Sequence, residues 1–454
     1  MPRQISCLFH RVDDHGRPIN CDANACSRVI PKNTETAPVK ARYRAPMFNV
    51  LREADFRIIW CVGGLSEVAR WMEQLILSLL IWEVTRSPLQ LAFVLVFNNL
   101  PRPLCSPWTG LLADRVSRRH ILLGAQCLAT VTVIGLLCVL ALGTIQPWHV
   151  YLAVALMGIT KALEDPSRRT AILDIVGSQR LVNALSLDGM SHTMGKVLGP
   201  LAGGALVETV GYAGACGCIL ATHLVNLGLM TRLRIPPSQG MHQGDPIWRS
   251  LVMAVRAARH SPLMLGMLYV TVVMNALAFP TRQFIPAIGS EYLGVGAGLV
   301  GLLAAAEGFG QLIGSGMLAS TRTLQHHGRV FFTGSALVLL MAVLFVWAPW
   351  YVLAFACLAI GGCGQAGFST MQSTITMLGA PPDMRGRMMG LLSVCIGLST
   401  PLGTLGIGMV AAAFTVPAAI TVNALAGLLL LWPAVTLTPL TRRSATSPPP
   451  VHGS

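Results

Sequence analysis

Gly110-Leu111-Leu112-Ala113-Asp114-Arg115-Val116-Ser117-Arg118-Arg119 is a short charged turn set between two long apolar runs. The run before it covers about residues 88–113 and the run after it residues 121–142. Polar residues interrupt them too rarely for the one-sided pattern of a soluble surface helix. Each reaches the ~20 apolar residues that a helix needs to cross a bilayer. The turn is therefore a tight, basic loop at a membrane surface.

The rest of the chain agrees. Of its 454 residues, 53% are hydrophobic and 11% charged, against about 25% charged in an ordinary soluble domain. That composition indicates a polytopic membrane protein. The formal charge of +14 does not mark a nucleic-acid partner, because the Arg and Lys residues sit in short loops and tails rather than along one helix face. The first 46 residues hold no apolar core of signal-peptide type, so the first apolar segment serves as its own insertion signal. Met47 opens a run that reads as an ordinary start for such a chain, which leaves Met1 and Met47 as alternative starts. Most cysteines fall inside apolar runs and act as small hydrophobes. Cys7, Cys21 and Cys26, with His10 and His15, fit no standard zinc spacing. No metal and no cofactor are expected.

Apolar segments recur at residues 56–82, 88–113, 121–142, 148–163, 181–207 and 212–233. Six more follow at 262–285, 294–320, 330–347, 350–377, 386–413 and 416–437. The expected fold is an all-α membrane protein of twelve transmembrane helices in two pseudo-symmetric six-helix halves. Residues 1–50 form a disordered tail, 51–233 the first half, 234–261 a cytoplasmic linker, 262–437 the second half and 438–454 a second disordered tail. Basic residues crowd alternate loops, as at Arg115, Arg118 and Arg119, then Arg168, Arg169 and Arg180, then Arg234, Arg249, Arg256 and Arg259. Arg86 and Arg282 are exceptions, standing in the other set of loops. The positive-inside rule then places both termini and the linker in the cytoplasm. A weak internal repeat supports the halves: a shift of 201 residues matches Gly189 to Gly390, Pro200 to Pro401 and Leu201 to Leu402, and Gly316-Met-Leu-Ala-Ser-Thr321 is a decayed copy of the 110–115 turn.

Charges inside apolar segments are costly, about 2.5–3.5 kcal/mol each at the bilayer centre, so they mark function or a paired structural cluster. Glu67, Arg70 and Glu73 recur at i, i+3 and i+6, with Gln74 beside them, on one side of the first segment. Asp188, His192 and Lys196 form a second row at i, i+4 and i+8, an acid, an imidazole and an amine in line. Glu307 is the acid of the second half's apolar segments. Lys161 and Glu164 are spaced to pair with each other. The alternative reading of both rows is a structural ion-pair cluster, or for Asp188 a solvated helix end. In the segment from 181, Gly195, Gly199 and Gly203 lie four apart and share a face that lets another helix approach closely, while Pro200 permits a kink. Gly204 completes the pattern. No nucleotide-binding loop is present, so transport is not driven by ATP bound to this chain.

The turn Gly110-x-x-x-Asp114-Arg115-x-x-Arg118-Arg119 resembles the loop 2–3 signature of the major facilitator superfamily. Trp71-Met72, Thr85-x-Ser87-Pro88, Asp165-Pro166-x-Arg168, Asn183-Ala184-Leu185 and Gly199-Pro200 resemble the branch that holds the enterobactin exporter and the macrolide efflux pumps. The resemblance implies that Gly110, Asp114, Arg115 and Arg118 act as a conformational latch, Asp114 docking at the helix that begins near Pro381. An acid is stabilised at a helix amino terminus by about 0.3–1 kcal/mol when exposed. The resemblance also implies that Gly195, Gly199, Pro200, Gly203 and Gly204 form an exporter-type helix motif, and that the fifth and eighth helices pack together, which would pair Lys196 with Glu307. Arg70 stands where relatives often carry an acid, and Ser117 replaces the usual glycine.

The expected function is secondary active export of a small amphipathic molecule of drug, macrolide or siderophore type by alternating access, with protons as the coupling ion. Glu67, Arg70, Glu73, His192, Lys196 and Glu307 are the expected coupling residues. The partners are the small-molecule substrate, protons and the lipid bilayer, with no nucleic acid, and the protein is a monomer of the bacterial inner membrane. An importer, a facilitator or a lipid flippase on the same fold is the alternative, and from another class a non-transporting membrane sensor.

Overall fold

The computed structural model describes residues 47–101, 103–105, 116–177, 179–235, 247–321, 326–381 and 384–437. Residues 50–454 form one compact unit. Of the other, 1–49, only 47–49 are described, at the start of a single 3-10 turn, Met47–Arg52. The tails expected to be disordered therefore lie outside the described residues, apart from 47–50.

All regular structure among the described residues is helical. The amino-terminal set comprises α1 (Ala54–Thr85), α2 (Pro88–Asn99), α3 (Arg118–Ala141) and α4 (Pro147–Val176), then the long element Leu181–Thr231. That element breaks at Gly211, whose φ of 71° and ψ of 178° belong to a region open only to glycine. Its two limbs are α5 (residues 181–210) and α6 (212–231). The carboxy-terminal set comprises α8 (Pro262–Leu277), α9 (Ala297–Ser320), α10 (His327–Val346), α11 (Tyr351–Gly379), α12 (Arg385–Ala413) and α13 (Val416–Leu437). The stretch 234–261, expected as a plain linker, carries a helix, α7 (Ile247–Arg259), in its described part.

Among the described residues eight stretches are long and apolar enough to cross a membrane, with Leu181–Thr231 counted once and Pro262–Tyr292 running on past α8. α1, of 32 residues, and α4, of 30, have the length but carry many of the charged side chains described below. Two helices begin alike: Ser87 and Ser261 cap α2 and α8, each side chain accepting the backbone N–H of the third helical residue, Gln90 or Met264, with proline in the first position. There proline's missing N–H costs nothing.

One expected helix, 262–285, is not regular. α8 ends at Leu277, and the chain continues as a 3-10 stretch, Phe279–Phe284, a short α turn, Ile285–Ala287, and a π turn, Ile288–Tyr292. Pro280 lacks an N–H and its ring crowds the preceding turn. Irregular backbone at membrane depth is tolerated where protein covers it, and here Phe284, Ile285 and Ile288 are buried.

Three apolar clusters hold the bundle. One lies within the amino-terminal set, around Ile76, Leu80, Val133, Val154 and Ile219. One lies within the carboxy-terminal set, where Phe331 and Phe368 stack with centroids 5.0 Å apart. Among the described residues the third cluster joins the two sets at one end, through Leu75, Leu79 and Leu91 on one side and Phe284, Val300, Leu303 and Ile407 on the other. The described residues close the bundle at that end.

Candidate functional site

The stripe on α1 faces helices α4 and α5. Glu67 is buried and is held by three bases: Arg70 Nη1 at 3.1 Å, His192 Nδ1 at 2.9 Å and Arg168 Nη2 at 3.6 Å. Arg70 also reaches Glu164 at 3.4 Å and Asp165 at 3.8 Å. Arg168 reaches Asp188 at 3.5 Å. Each charge therefore has a partner, as buried ions require. Glu164 pairs with Arg70 across helices.

This network walls a cavity of about 650 Å³ between the two helix sets. Arg70, Trp71, Lys161 and His192 line one side, and Asn275, Arg282 and Thr400 the other. Trp71 Nε1 is buried and finds no hydrogen-bond acceptor among the described residues. Glu73 does not line this cavity. It points into the amino-terminal set, where His223 Nε2 stands 2.7 Å from its Oε1.

A second cluster crosses between the sets. Lys196 Nζ donates to Glu307 Oε1 at 2.9 Å, Gln311 Oε1 at 3.0 Å and Gln365 Oε1 at 2.6 Å. Arg282 Nη2 lies 3.5 Å from the same Glu307 oxygen. Arg282 comes from the unwound stretch after α8. Next to it, Gln283 Nε2 donates to Ser78 Oγ and to the Leu91 carbonyl, both at 3.0 Å, tying that stretch to α1 and α2.

The small residues of α5 explain how these helices come so close. A Cβ on Gly195 would lie 2.7 Å from Glu67 Cβ, and Gly199 and Gly203 pack against α1 in the same way. Gly204 and Pro200 are buried too. Gly204, one position round the helix, faces α9 instead, and a Cβ there would lie 2.8 Å from Gly301 Cα. The closed end is completed by polar contacts. The Gly298 N–H, in the first turn of α9, donates to Glu208 Oε2 at 2.6 Å, and Tyr212 donates to Glu83 at 2.6 Å.

Of the expected latch, Gly110, Asp114 and Arg115 lie outside the described residues, as do positions 382–383 of the expected docking site. Arg118 is described. It pairs with Asp174 on α4 and donates to the Thr170 carbonyl at 3.4 Å. No group of histidine, cysteine and carboxylate side chains that could hold a metal occurs among the described residues.

Residues 45–448 match the transmembrane secretion effector family. The chain belongs to this family of the major facilitator superfamily. Within the superfamily it resembles the enterobactin exporter EntS of Salmonella typhi, at 30% identity over 71% of this chain and 78% of that protein. The EntS of Escherichia coli O1:K1 is 28% identical over 76% of this chain and 82% of its own length. Among solved structures, the nucleoside transporter NupG superposes with a TM-score of 0.70 at 11% identity, covering 84% of this chain and 99% of that one. A D-xylose-proton symporter superposes with a TM-score of 0.65 at 14% identity, covering 85% and 98%. These show the shared fold. This secretion-effector chain is thus a multi-pass membrane transporter.

Several site residues of this transporter escaped the sequence reading. Arg168 looked like a topology charge, and Arg282 like a charge in an outer loop. Gln311 and Gln365 carry no charge to signal them, and His223 stands alone in its apolar segment. Glu208 lies just past the expected end of its helix at 207.

Proposed function

We propose that this transporter exports a small amphipathic solute of siderophore, macrolide or drug type by alternating access, in exchange for protons. The observation that carries the reading is the cavity of about 650 Å³ lying between the two helix sets and sealed at one end. Ligand sites commonly occupy about 300–1,000 Å³. The seal combines the apolar cluster through Leu79 and Val300 with the Gly204–Gly301 contact and the Glu208 contact. Arg168, Arg169 and Arg180 belong to the opposite end, so by the positive-inside rule the seal faces outward and the cavity loads from the cytoplasm. Both termini are then cytoplasmic, and the membrane is the bacterial inner membrane.

The same reading makes the crossings twelve, in halves 51–233 and 262–437. Leu181–Thr231 has 51 residues, about 75 Å of helix against a hydrocarbon core of about 30 Å, so its two limbs make two crossings. The charged lining, with Trp71 Nε1 lacking an acceptor, suits a solute that carries both an apolar body and polar groups. The activity named for the EntS relatives supports a siderophore-type solute. Proton entry gains about 2.3 kcal/mol per 100 mV, and the carboxylates and histidines of the site supply groups that exchange protons. Asp114 acts as the latch, so Asp114→Asn reaches the membrane but loses turnover.

The test is uptake of labelled enterobactin and of a labelled macrolide by everted membrane vesicles. Accumulation against the gradient that collapses with a proton uncoupler is the expected result. Equilibration indifferent to the uncoupler points to a facilitator. Absence of uptake of either compound, with Asp114→Asn leaving every phenotype unchanged, overturns the export reading in favour of a sensor.

A further inference from the structure

Among the described residues, Arg282 is the charged side chain on the carboxy-terminal wall of the central cavity. Its Nε donates to the Phe279 carbonyl at 3.2 Å, and its guanidinium carbon lies 5.4 Å from the centre of the Phe279 ring. Both contacts come from its own unwound turn and fix the guanidinium plane. Nη2 lies 3.5 Å from Glu307 Oε1. Neither Nη atom makes a hydrogen bond among the described residues.

Lys196 differs. Its ammonium is taken up by Glu307, Gln311 and Gln365. Glu307 is therefore spent on Lys196, and Arg282 is the cation of that cluster with donors to spare. A charge at membrane depth needs a partner or a polar cavity. Arg169, also on the cavity lining, is exposed and is satisfied by water instead.

The free donors of Arg282 do not stand alone. A chamber of about 40 Å³ adjoins the central cavity and shares Trp71, Gln74 and Arg282 with it. Trp71 Nε1 is buried without an acceptor among the described residues. The Gln74 side chain makes no hydrogen bond there either. Leu75, Pro200, Ile285 and Ala304 give the chamber an apolar wall, and Glu307 stands at its edge with Lys196 balancing its charge. A space of that size holds about three waters, or the carbon and two oxygens of a carboxylate.

Such a chamber selects by what it lacks. N–H donors converge on it, and leaving donors unsatisfied in a buried place is costly. A planar guanidinium with two free Nη groups matches a pair of anionic oxygens bidentately. An ammonium has no lone pair to offer and meets the Arg282 charge. A neutral amide offers one oxygen and no charge.

We propose that Arg282, Trp71 and Gln74 form a subsite for an anionic oxygen pair on the exported solute, a carboxylate or a group of the same shape and charge. The solute then supplies the second acid that the Glu307 cluster lacks, while Lys196 keeps Glu307. Its head bridges α1 and the stretch after α8, one element from each helix set. The solute class narrows to amphipathic anions, and amine-bearing macrolides fit it least. The inference rests on the export reading above.

Naphthoate, naphthamide and naphthylmethylamine share one apolar body and differ in the head, so they serve as probes. Binding to the purified full chain in detergent is read from the shift in thermal unfolding at neutral pH, where the acid is ionised. The wild type should bind naphthoate about tenfold or more tighter than naphthamide, and the amine not at all. Arg282→Gln, which leaves the Lys196–Glu307 pair intact, should abolish that preference. Trp71→Phe, which removes one N–H and keeps an aromatic ring, should weaken naphthoate by about tenfold. Arg169→Gln should change neither. Acid and amide bound alike, no naphthoate bound at millimolar concentration, or a preference that survives Arg282→Gln overturns the subsite. A preference lost in Arg169→Gln instead puts the anion at the cavity mouth and overturns it too. Export is read separately, by vesicle uptake of labelled enterobactin. A wild type that accumulates enterobactin but shows no preference for the acid loses the subsite and keeps export. One that shows the Arg282-dependent preference but accumulates nothing keeps the subsite and loses export.

Discussion

The two ion clusters of this transporter are built on opposite plans. The Glu67 cluster lies within the amino-terminal helices, and its members have alternatives: Arg70 has Glu164 and Asp165 besides Glu67, and Arg168 has Asp188. The Glu307 cluster spans the two sets and has one carboxylate for two cations, Lys196 and Arg282. The first can travel with its helices as a body. The second sits across the surface along which the two sets must shift if access alternates, and it has no spare acid.

The largest effect is expected where there is no spare. Glu307→Gln leaves Lys196 and Arg282 close together without a carboxylate, and losing one side of a buried pair costs about 3–5 kcal/mol. Thermal unfolding in detergent should show the loss. Replacing Lys196 and Arg282 with methionine together with Glu307 with leucine, so that no cation is left unpaired, should recover most of that stability but not transport. If the triple variant transports, the cluster is only structural.

Glu67→Gln sharpens the contrast. Losing charged hydrogen bonds costs about 1.5–3 kcal/mol each, but here Arg70 and Arg168 keep other acids, so the same unfolding measurement should place this variant above Glu307→Gln. An equal or larger loss would mean the alternatives do not substitute for one another.

Gly204→Val probes the closed end. Overpacking a tight contact costs about 1–3 kcal/mol, and the new side chain wedges α5 from α9. Cysteine labelling near Gly298 from the outer side should rise. Unchanged labelling would show that the seal does not depend on this contact. The smallest effect belongs to Glu208→Gln, which removes an exposed acid from the first turn of α9, worth about 0.3–1 kcal/mol. Its labelling should rise slightly, and less at high salt, where exposed charges are screened.

The sequence carried this site unevenly, for physical reasons. The stripe on α1 was legible because charges at helical spacing in an apolar run must find partners. Lys196 stood out in its row with Asp188 and His192, and Glu307 as the acid of the second half's apolar segments. Arg282 misled because a run ending near 285 makes it look like a loop residue, whereas the chain unwinds after Leu277 and carries it inward. His223 gave no sign, since its partner lies 150 positions away and a lone histidine in an apolar segment has no spacing to read. The glycine face at 195, 199 and 203 showed that some helix comes close. That Gly204 serves a different neighbour depends on how two helices cross, which spacing along one of them does not encode.

Gly211 has a mechanical consequence. α5 passes into α6 through that one residue, with no loop to absorb displacement. α5 carries Gly204 and Glu208 at the seal, and α6 carries His223. A tilt of α5 that parts the seal therefore reaches α6 as through a stiff elbow. Splicing a few flexible residues after Gly211 would introduce slack, and the two ends of that lever would cease to move in step.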